Sequence, residues 1–547
     1  MSLPELLESY SPSFLALLEK RGLAEPAARR RFLAPDLNNL YDPFLMAGME
    51  SACLRLKQAK ERGESVFVHG DYDVDGITGA AILARTFELF GLKAKIFLPE
   101  RGRDGYGVSE EAVVEAAQNG FKLLVTVDCG VTARRQIEAA AVHGMQTIIL
   151  DHHRIPADGL PPACAILNPQ REDCQYPFKE LSAGGLAFKL AQALLGEEAL
   201  KFLDLTAIST VCDVAPLTDE NRILVRHGLL KLGADSSCGL KALSRVSGIR
   251  TRSFNTGHLG FMIGPRINAA GRMSSPDTAL RLLLTENERE AESLARALDE
   301  ENKSRQQEER VMVQEALSEA ERTFHFNRDR VVVVARRGWH PGIVGIVAAR
   351  LVDKYHRPAV VIALKDGVGK GSGRSIKGFH LFNAMGAAKE HLSEFGGHEL
   401  AAGLSIQEEK VADFRQAMND FARENVAADI FVKKTKHELE ISLGALTEVF
   451  LAELALLEPY GAGNPRPVFK STGLQVRGAA RKKTPRAFQF LVTDGRVTYE
   501  ASWNSDNTRA PEWMADRQKL DLFYTVKTFS LSGMEMATLE VKEALPL

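Results

Sequence analysis

Apolar runs alternate with amphipathic stretches along the first third of the chain. The apolar runs are SVFVH (65–69), KAKIFL (93–98), LLVTVD (123–128) and TIILD (147–151). Between them, TGAAILARTFELFG and SEEAVVEAAQNG have the spacing of amphipathic helices, and Ser109 is placed to cap the second one. This alternation predicts an α/β domain with a parallel sheet, beginning near residue 48.

Residues 286–322 contain neither Gly nor Pro and are rich in strong helix formers. They predict one long helix, and its thin apolar stripe through DEENKSRQQEER indicates a solvated middle. The absence of heptads favours a connector between two domains over a coiled-coil partner face. After it, a second strand–helix–strand pattern runs to about residue 425. Short β-rich runs from about residue 430 then predict a small barrel or sandwich.

The chain has 547 residues, more than one hydrophobic core normally serves, so we predict several domains. The expected parts are an N-terminal helical extension (1–47), a parallel-sheet α/β domain (48–285), a connector helix (286–325), a smaller α/β domain (326–428) and a small β-barrel (429–547).

Composition narrows the class of protein only slightly. Six scattered cysteines without a C-x-x-C pair favour a reduced compartment. No basic, apolar leader and no bilayer-length apolar run is visible, so we expect a cytoplasmic protein with no membrane partner. Because the net charge is −2, any binding of nucleic acid would have to come from local basic patches.

The segment VHGDYDVDGITG (68–79) concentrates His69, Asp71, Asp73 and Asp75 directly after an apolar strand. Acidic residues at alternate positions repel one another unless a cation or protons relieve the charge. An acidic turn that caps the next helix, or a calcium loop, would be the alternatives. A calcium loop uses only oxygen ligands, so the histidine favours a metal site assembled from several strands.

Further polar clusters follow the other strands: Asp128, then Asp151, His152 and His153. They fall at the carboxyl ends of strands, where ligands bind in open α/β sheets. Asp213, after an apolar helical segment, either completes the set or caps a helix. Mixed Asp and His ligation suits Mn²⁺ or Mg²⁺, and a shared carboxylate would hold two ions about 3.5–4 Å apart.

In this order, GDYDVDG, VDCG, LDHH and DVAPL resemble the four motifs of the DHH phosphoesterase superfamily. The resemblance implies a two-ion ligand set of His69, Asp73, Asp75, Asp128, His152 and Asp213, with Asp128 bridging. In this set His69, Asp73 and Asp128 hold one ion. The residues that it implies around the reaction itself are Asp71, Asp128 and His153, with Asp151 behind them.

The segments GRSIKGFHLFNAM (373–385) and FGGHELAAGLSI (395–406) resemble the DHHA1 domain that binds substrate in this superfamily, although GSG and GGH could be tight turns alone. The resemblance implies phosphate or strand contacts from Arg101, Arg272, Ser372, Arg374 and His398. Arg266 competes with Arg272 for this role, and each arginine could instead be an ion-paired surface residue.

The last segment resembles an OB-fold, a β-barrel that commonly binds single-stranded nucleic acid. In it, VRGAARKKTPRAFQF offers a candidate strand-binding set of Arg477, Arg481, Lys482, Lys483 and Phe488, although such a run can be only a solvated loop.

The resemblance as a whole implies a Mn²⁺- or Mg²⁺-dependent 5′-to-3′ exonuclease on single-stranded DNA, which releases 5′ mononucleotides in repair and recombination. A single-strand-binding protein and a helicase are implied as partners. The alternatives are a phosphodiesterase of short oligonucleotides or cyclic dinucleotides, and a non-catalytic DNA-binding scaffold.

Overall fold

The computed structural model describes residues 10–100, 107–484, 487–504, 510–531 and 534–547. In these ranges the strands are β1 Val66–His69, β2 Ala94–Phe97, β3 Leu123–Val127, β4 Gln146–Leu150, β5 Ala165–Leu167, β6 Val332–Arg337, β7 Ala359–Lys365, β8 Val368–Arg374, β9 Leu392–Gly397, β10 Ala401–Gln407, β11 Leu439–Glu440, β12 Phe469–Thr484, β13 Ala487–Thr493, β14 Thr498–Asn504, β15 Lys519–Leu531 and β16 Met534–Pro546. The α-helices are α1 Pro12–Lys20, α2 Pro26–Leu33, α3 Met49–Glu61, α4 Val74–Phe90, α5 Glu110–Gln118, α6 Arg134–Val142, α7 Ala183–Leu195, α8 Leu203–Cys212, α9 Asp219–Ala234, α10 Cys238–Val246, α11 Thr256–His258, α12 Gly264–Met273, α13 Asp277–Leu284, α14 Glu288–Thr323, α15 Val344–Tyr355, α16 Leu381–Ala387, α17 Val411–Asn425 and α18 Glu448–Ala455.

The first domain is built on a parallel five-stranded sheet in the order β2-β1-β3-β4-β5. Strands β1 and β3 are buried along their whole length, because helices cover both faces of the sheet. Helices α3, α4 and α7 pack on one face, and α5 and α6 pack on the other. The predicted parallel-sheet α/β domain is therefore confirmed, and β1, β3 and β4 all end at the same edge.

Helix α14 spans 36 residues and connects the first domain to the second, as predicted. Its first half packs into the core of the first domain, and its last turns pack against the second. The expectation of a solvated middle holds for one face only, because Lys303 and Gln307 are exposed whereas Asn302, Arg305 and Glu309 are buried. Arg305 pairs with Glu309 at 2.8 Å, so burial of these charges is tolerated because they neutralise each other.

The second domain has a mixed sheet in the order β6-β7-β8-β10-β9. The third has six strands in the order β11-β12-β13-β14-β16-β15, and an additional β12–β15 pairing closes them into the expected barrel. The N-terminal helices do not pack as a separate extension. Phe14 and Leu18 of α1 lie in the same core as Phe450 and Phe469 of the third domain.

Among the helices of the described ranges, none is both long enough and apolar enough to span a membrane.

Candidate metal centre

The loop after β1 carries three of the predicted carboxylates. Asp73 caps helix α4, where its Oδ1 accepts hydrogen bonds from the amides of Asp75 at 2.9 Å and Gly76 at 3.2 Å. The loop is so tight that a Cβ on Gly76 would lie 2.5 Å from the backbone of Asp71. The DYDVDG sequence therefore turns sharply and keeps Asp71, Asp73 and Asp75 at the end of the strand.

Residues of helices α7 and α8 hold the Asp75 carboxylate in place. Its two carboxylate oxygens accept hydrogen bonds at 2.8 Å from the amides of Ala183 and Gly184, which are the first residues of α7. The hydroxyl of Ser209 donates a further short hydrogen bond to its Oδ1. Asp75 is only 2% exposed, so this carboxylate is a rigid part of the site.

Asp128 follows β3 with a φ of 64°, a left-handed conformation that is uncommon outside glycine. Its carboxyl is buried, and Oδ1 has no hydrogen-bond partner among the described residues. The Nε2 atom of His152 lies 3.3 Å from it. A buried carboxylate oxygen without a donor is costly unless a cation satisfies it.

His152 lies between the carboxylates. Besides its contact with Asp128, its Nε2 lies 3.7 Å from Asp75 Oδ2 and its Nδ1 lies 3.8 Å from Asp213 Oδ2. Asp213 reaches the cluster from the end of helix α8. The structure thus brings side chains from four separated motifs to one sheet edge, as the motif order led us to expect.

His153 is oriented by the aspartate that precedes the pair. Its Nδ1 lies 2.7 Å from Asp151 Oδ1, while the amide of Val131 donates to the other oxygen of Asp151 at 2.9 Å. Burial alone would lower the pKa of His153, but Asp151 raises it to about 9. Burial would raise the pKa of Asp151, yet the hydrogen bond from His153 lowers it. The Asp151 carboxylate therefore favours the protonated form of the His153 ring, whose side chain is 42% exposed.

The remaining carboxylates repel one another. Burial and the charges of Asp75, Asp73, Asp71 and Asp213 raise the pKa of Asp128 well above its ordinary value. Burial, Asp75 and Asp73 raise the pKa of Asp213 to about 9. Divalent cations would relieve both the repulsion and the unpaired oxygen, so the donor set fits Mn²⁺ or Mg²⁺.

Among the residues that the structure describes, three groups could each hold an ion, because the ligand atoms within each group lie within 4.8 Å of one another: Asp71, Asp73 and Asp128; Asp75, His152 and Asp213; and Asp128, His152 and His153. His69 is in none of them. It is buried at the end of β1, where its Nε2 accepts the amide hydrogen of Ser109 at 3.0 Å. Ser109 caps α5 as expected, so this contact ties the histidine to the next helix.

A cleft of about 2200 Å³ separates the metal centre from the second domain. Arg272, Ser372, Arg374 and His398, the candidate phosphate contacts, all line it. Arg374 donates to the hydroxyl of Ser372 at 3.0 Å, beside the first turn of α15. Burial and neighbouring cations, Arg154 foremost among them, lower the pKa of His398. The lining thus carries cations from both domains, Arg154 and Arg272 from the first and Lys370 and Arg374 from the second, together with the carboxylates Asp151, Glu394 and Glu399.

The structure distinguishes between Arg266 and Arg272, the two competing phosphate contacts. Arg266 forms an ion pair with Asp299 of the connector helix at 2.8 Å, so it is structural and Arg272 is the arginine that faces the cleft. Arg101 lies outside the described residues.

In the third domain Arg477, Arg481, Lys482 and Lys483 are exposed on β12. Phe488 on β13 is only 3% exposed and packs in the barrel core, so this ring does not provide the stacking face expected of it.

Sequence reasoning missed the residues whose hydrogen bonds position the candidate metal ligands. Ser209 and the amide of Gly184 fix Asp75, and the side chain of Asn268 accepts the amide hydrogen of Val74 at 3.2 Å. Asn268 is half-buried and lies in the GPRINAAGR segment, where a polar residue within a predicted helix was the one available signal. His340 of GWHPG also lines the cleft.

Three family models match the chain: the DHH family, N-terminal domain (residues 65–210), the DHHA1 domain (328–424) and the RecJ OB domain (437–543). The fold and the site together thus define a protein of the DHH family that also carries a DHHA1 domain and an OB domain.

Curated relatives and solved structures show to which family within this class the chain belongs. The single-stranded-DNA-specific exonuclease RecJ of Bacillus subtilis (strain 168) is 40% identical over 469 residues, which are 85% of this chain and 59% of that protein. The protein of the same name from Escherichia coli (strain K12) is 36% identical over 78% of each chain. The crystal structure of RecJ in complex with Mn²⁺ from Thermus thermophilus has a TM-score of 0.83 at 29% identity, covering 99% of this chain and 76% of that one. The chain belongs to the RecJ family.

Proposed function

We propose that the protein is an exonuclease that hydrolyses single-stranded DNA from its 5′ end and releases 5′ mononucleotides. The observation that carries this proposal is the carboxylate and histidine cluster beside a cleft whose lining includes Arg154, Arg272, Lys370 and Arg374. A polyanionic strand fits such a cleft, because its phosphates contact the cations while one phosphodiester faces the metal centre.

The metal centre is proposed to hold two divalent ions, Mn²⁺ or Mg²⁺. Asp75, Asp128, His152 and Asp213 would hold one, and Asp71, Asp73 and Asp128 the other, with His69 behind them. When bound, the ions supply the positive charge that activates water and neutralises the phosphodiester. The complexes of the Thermus relative with Mn²⁺ and with Mg²⁺ support this choice.

The protonated His153 is proposed to donate a hydrogen bond to the phosphate. Its Nδ1 is held by Asp151, which leaves Nε2 directed away from that carboxylate. Because Asp151 keeps the ring charged, His153 can stabilise negative charge that develops on the phosphate oxygens. Asp151 acts by setting the position and charge of this ring.

Arg272, Ser372 and Arg374 are proposed to hold the terminal 5′ phosphate. The first turn of α15 lies against Ser372 and Arg374, and a helix N-terminus adds amide donors for an anion. A terminal phosphate held in this cleft would fix the 5′ end of the strand relative to the metal centre, which would favour release of mononucleotides over longer products.

The strand beyond the cleaved nucleotide is proposed to follow the surface between the first and third domains. A second cleft of about 680 Å³ lies there, with Arg226, Arg252, Arg466 and Lys527 among its lining residues. Phe261 is 83% exposed at this cleft and offers a ring for base stacking. The exposed basic residues of β12 are proposed as a further contact for the strand on the third domain.

End-labelled substrates test the proposal. With Mn²⁺, mononucleotides should appear first from the 5′ end of a single strand, and EDTA or Asp128→Ala should abolish release while DNA binding persists. Cleavage confined to dinucleotides or cyclic dinucleotides would favour the small-substrate alternative. Strand binding without any cleavage would favour a scaffold.

Recognition of the 5′ phosphate has its own test. Arg272→Ala should reduce kcat/KM for a 5′-phosphorylated strand roughly 10- to 100-fold, as expected for loss of a charge-assisted contact, and should affect a 5′-hydroxyl strand much less. Arg281→Ala, which removes an exposed arginine on the next helix, is the matched control. Equal losses on both substrates would contradict the proposed pocket.

We also propose a cytoplasmic location and action beside a helicase and a single-strand-binding protein that supply and cover the strand. Repair and recombination are the processes in which such free 5′ ends arise.

A further inference from the structure

The loop that carries the ligand Asp213 is an unusual piece of backbone. Val214, the residue after this aspartate, has a φ of 63° and is 69% exposed. Asp219, at the start of α9, has a φ of 44°. A β-branched residue in the left-handed region is a genuine outlier, and such backbone persists only when its surroundings fix it.

The third domain supplies much of this support. The amide of Leu217, four residues after Asp213, donates a hydrogen bond to the carbonyl of Ala462 at 2.7 Å. A Cβ on Gly461 would lie 2.6 Å from Leu217 Cδ1, so the two segments are in close contact. A Cβ on Gly463 would likewise lie 3.0 Å from the Cβ of Pro216.

A buried arginine fastens the same segment. Arg222 lies in α9, is 1% exposed and has its guanidinium 4.0 Å from the Phe32 ring centre. It donates hydrogen bonds to four successive carbonyls of the third domain, those of residues 456–459, at 2.8–3.3 Å. Asn464 donates to two of these carbonyls from the other side.

We infer that the segment 456–464 of the third domain is a positioning element for the metal ligand Asp213. It fixes the loop 213–218, and thereby the distance of the Asp213 carboxylate from His152 and Asp75. The third domain thus contributes to ion affinity in addition to any contact with the strand. This inference rests on the proposed metal centre.

Gly461→Ala is the sharpest perturbation, because it adds one methyl group against Leu217 and alters no proposed metal ligand. Gly444→Ala is the matched control, since the nearest atom to its new Cβ is a side-chain oxygen at 4.0 Å in the same domain. Mn²⁺ binding is measured by isothermal titration calorimetry on the full chain without DNA.

We expect two ions per wild-type chain and per Gly444→Ala chain. In Gly461→Ala, one of the two sites should weaken roughly 10- to 100-fold, as is usual when the support behind a ligand is lost, while the other keeps its affinity. In the double variant Gly461→Ala/Leu217→Ala, the loss of Mn²⁺ affinity should be smaller than the sum of the losses in the two single variants. The shorter side chain at position 217 removes the clash with the added methyl group.

Arg222→Lys tests the same element without adding a side chain, since an ammonium group cannot reach the four carbonyls together. It should also weaken one site. Wild-type affinity at both sites in folded Gly461→Ala and Arg222→Lys would overturn the inference. A wild-type chain that binds no Mn²⁺ would overturn the proposed metal centre itself.

Discussion

Asp213→Asn should change how the stability of the metal-free protein depends on pH. The pKa of Asp213 is raised to about 9 by burial and by Asp75 and Asp73, whereas an unfolded aspartate titrates near about 3.9. Between these values the folded chain keeps a proton that the unfolded chain has lost. The free energy of unfolding therefore falls as pH rises from about 4 to about 9, and asparagine removes this loss.

The size of the effect follows from the linkage relation. One proton that only the folded state keeps lowers the free energy of unfolding by about 1.4 kcal/mol per pH unit, or by about 2.7 kcal/mol between pH 5.5 and 7.5. The Asp213 side chain is 27% exposed, so solvent reduces the penalty. We expect the variant to gain about 1–2.5 kcal/mol over the wild type across this interval.

Calorimetric unfolding in EDTA at pH 5.5 and pH 7.5 measures this gain. The transition to compare is the one that Mn²⁺ shifts in a separate scan of the wild type. Asp158→Asn, an aspartate with a 71% exposed side chain in the same domain, is the control. If the wild type and Asp213→Asn lose stability in parallel from pH 5.5 to 7.5, the account of charge repulsion in the cluster is wrong.

Three further predictions concern other parts of the molecule. Asp151→Asn should move the pKa of His153 from about 9 towards about 6.5 in EDTA, followed by NMR of the imidazole; an unchanged titration would exclude Asp151 as the cause. Glu220→Gln removes the carboxylate 3.0 Å from the fully buried ammonium of Lys189 and should cost about 3–5 kcal/mol in urea unfolding; a cost below about 1 kcal/mol would show that the pair is dispensable. Phe261→Ala should raise KM roughly 10-fold for long strands while kcat is unchanged; an equal rise for dinucleotides would place its effect elsewhere.

Much of the first domain could be predicted from sequence because its signals are local. Apolar runs of strand length separated by amphipathic stretches determine a parallel sheet, and the carboxyl ends of its strands meet at one edge. The proximity of Asp75, Asp128 and His152 follows from that topology. The long connector helix likewise follows from a stretch without Gly or Pro.

Local patterns do not report which side of an element faces a partner. In AFQFLVT, the period of two places Phe488 and Phe490 on one face, but only the closed barrel shows that this face is the core. The charged middle of the connector helix had the same ambiguity. Asn302 and Glu309 contact Arg305 from the same helix, and only the packing of the folded domains against this face buries the three residues.

The sequence by itself determined the two α/β domains, the barrel and the candidate ligands, since periodicity and motif order are properties of neighbouring residues. Only the tertiary structure decided that α1 completes the core of the third domain, that Arg222 joins that domain to the first, and that residues 456–464 support the Asp213 loop. These contacts join positions hundreds of residues apart, and their geometry depends on how whole domains dock.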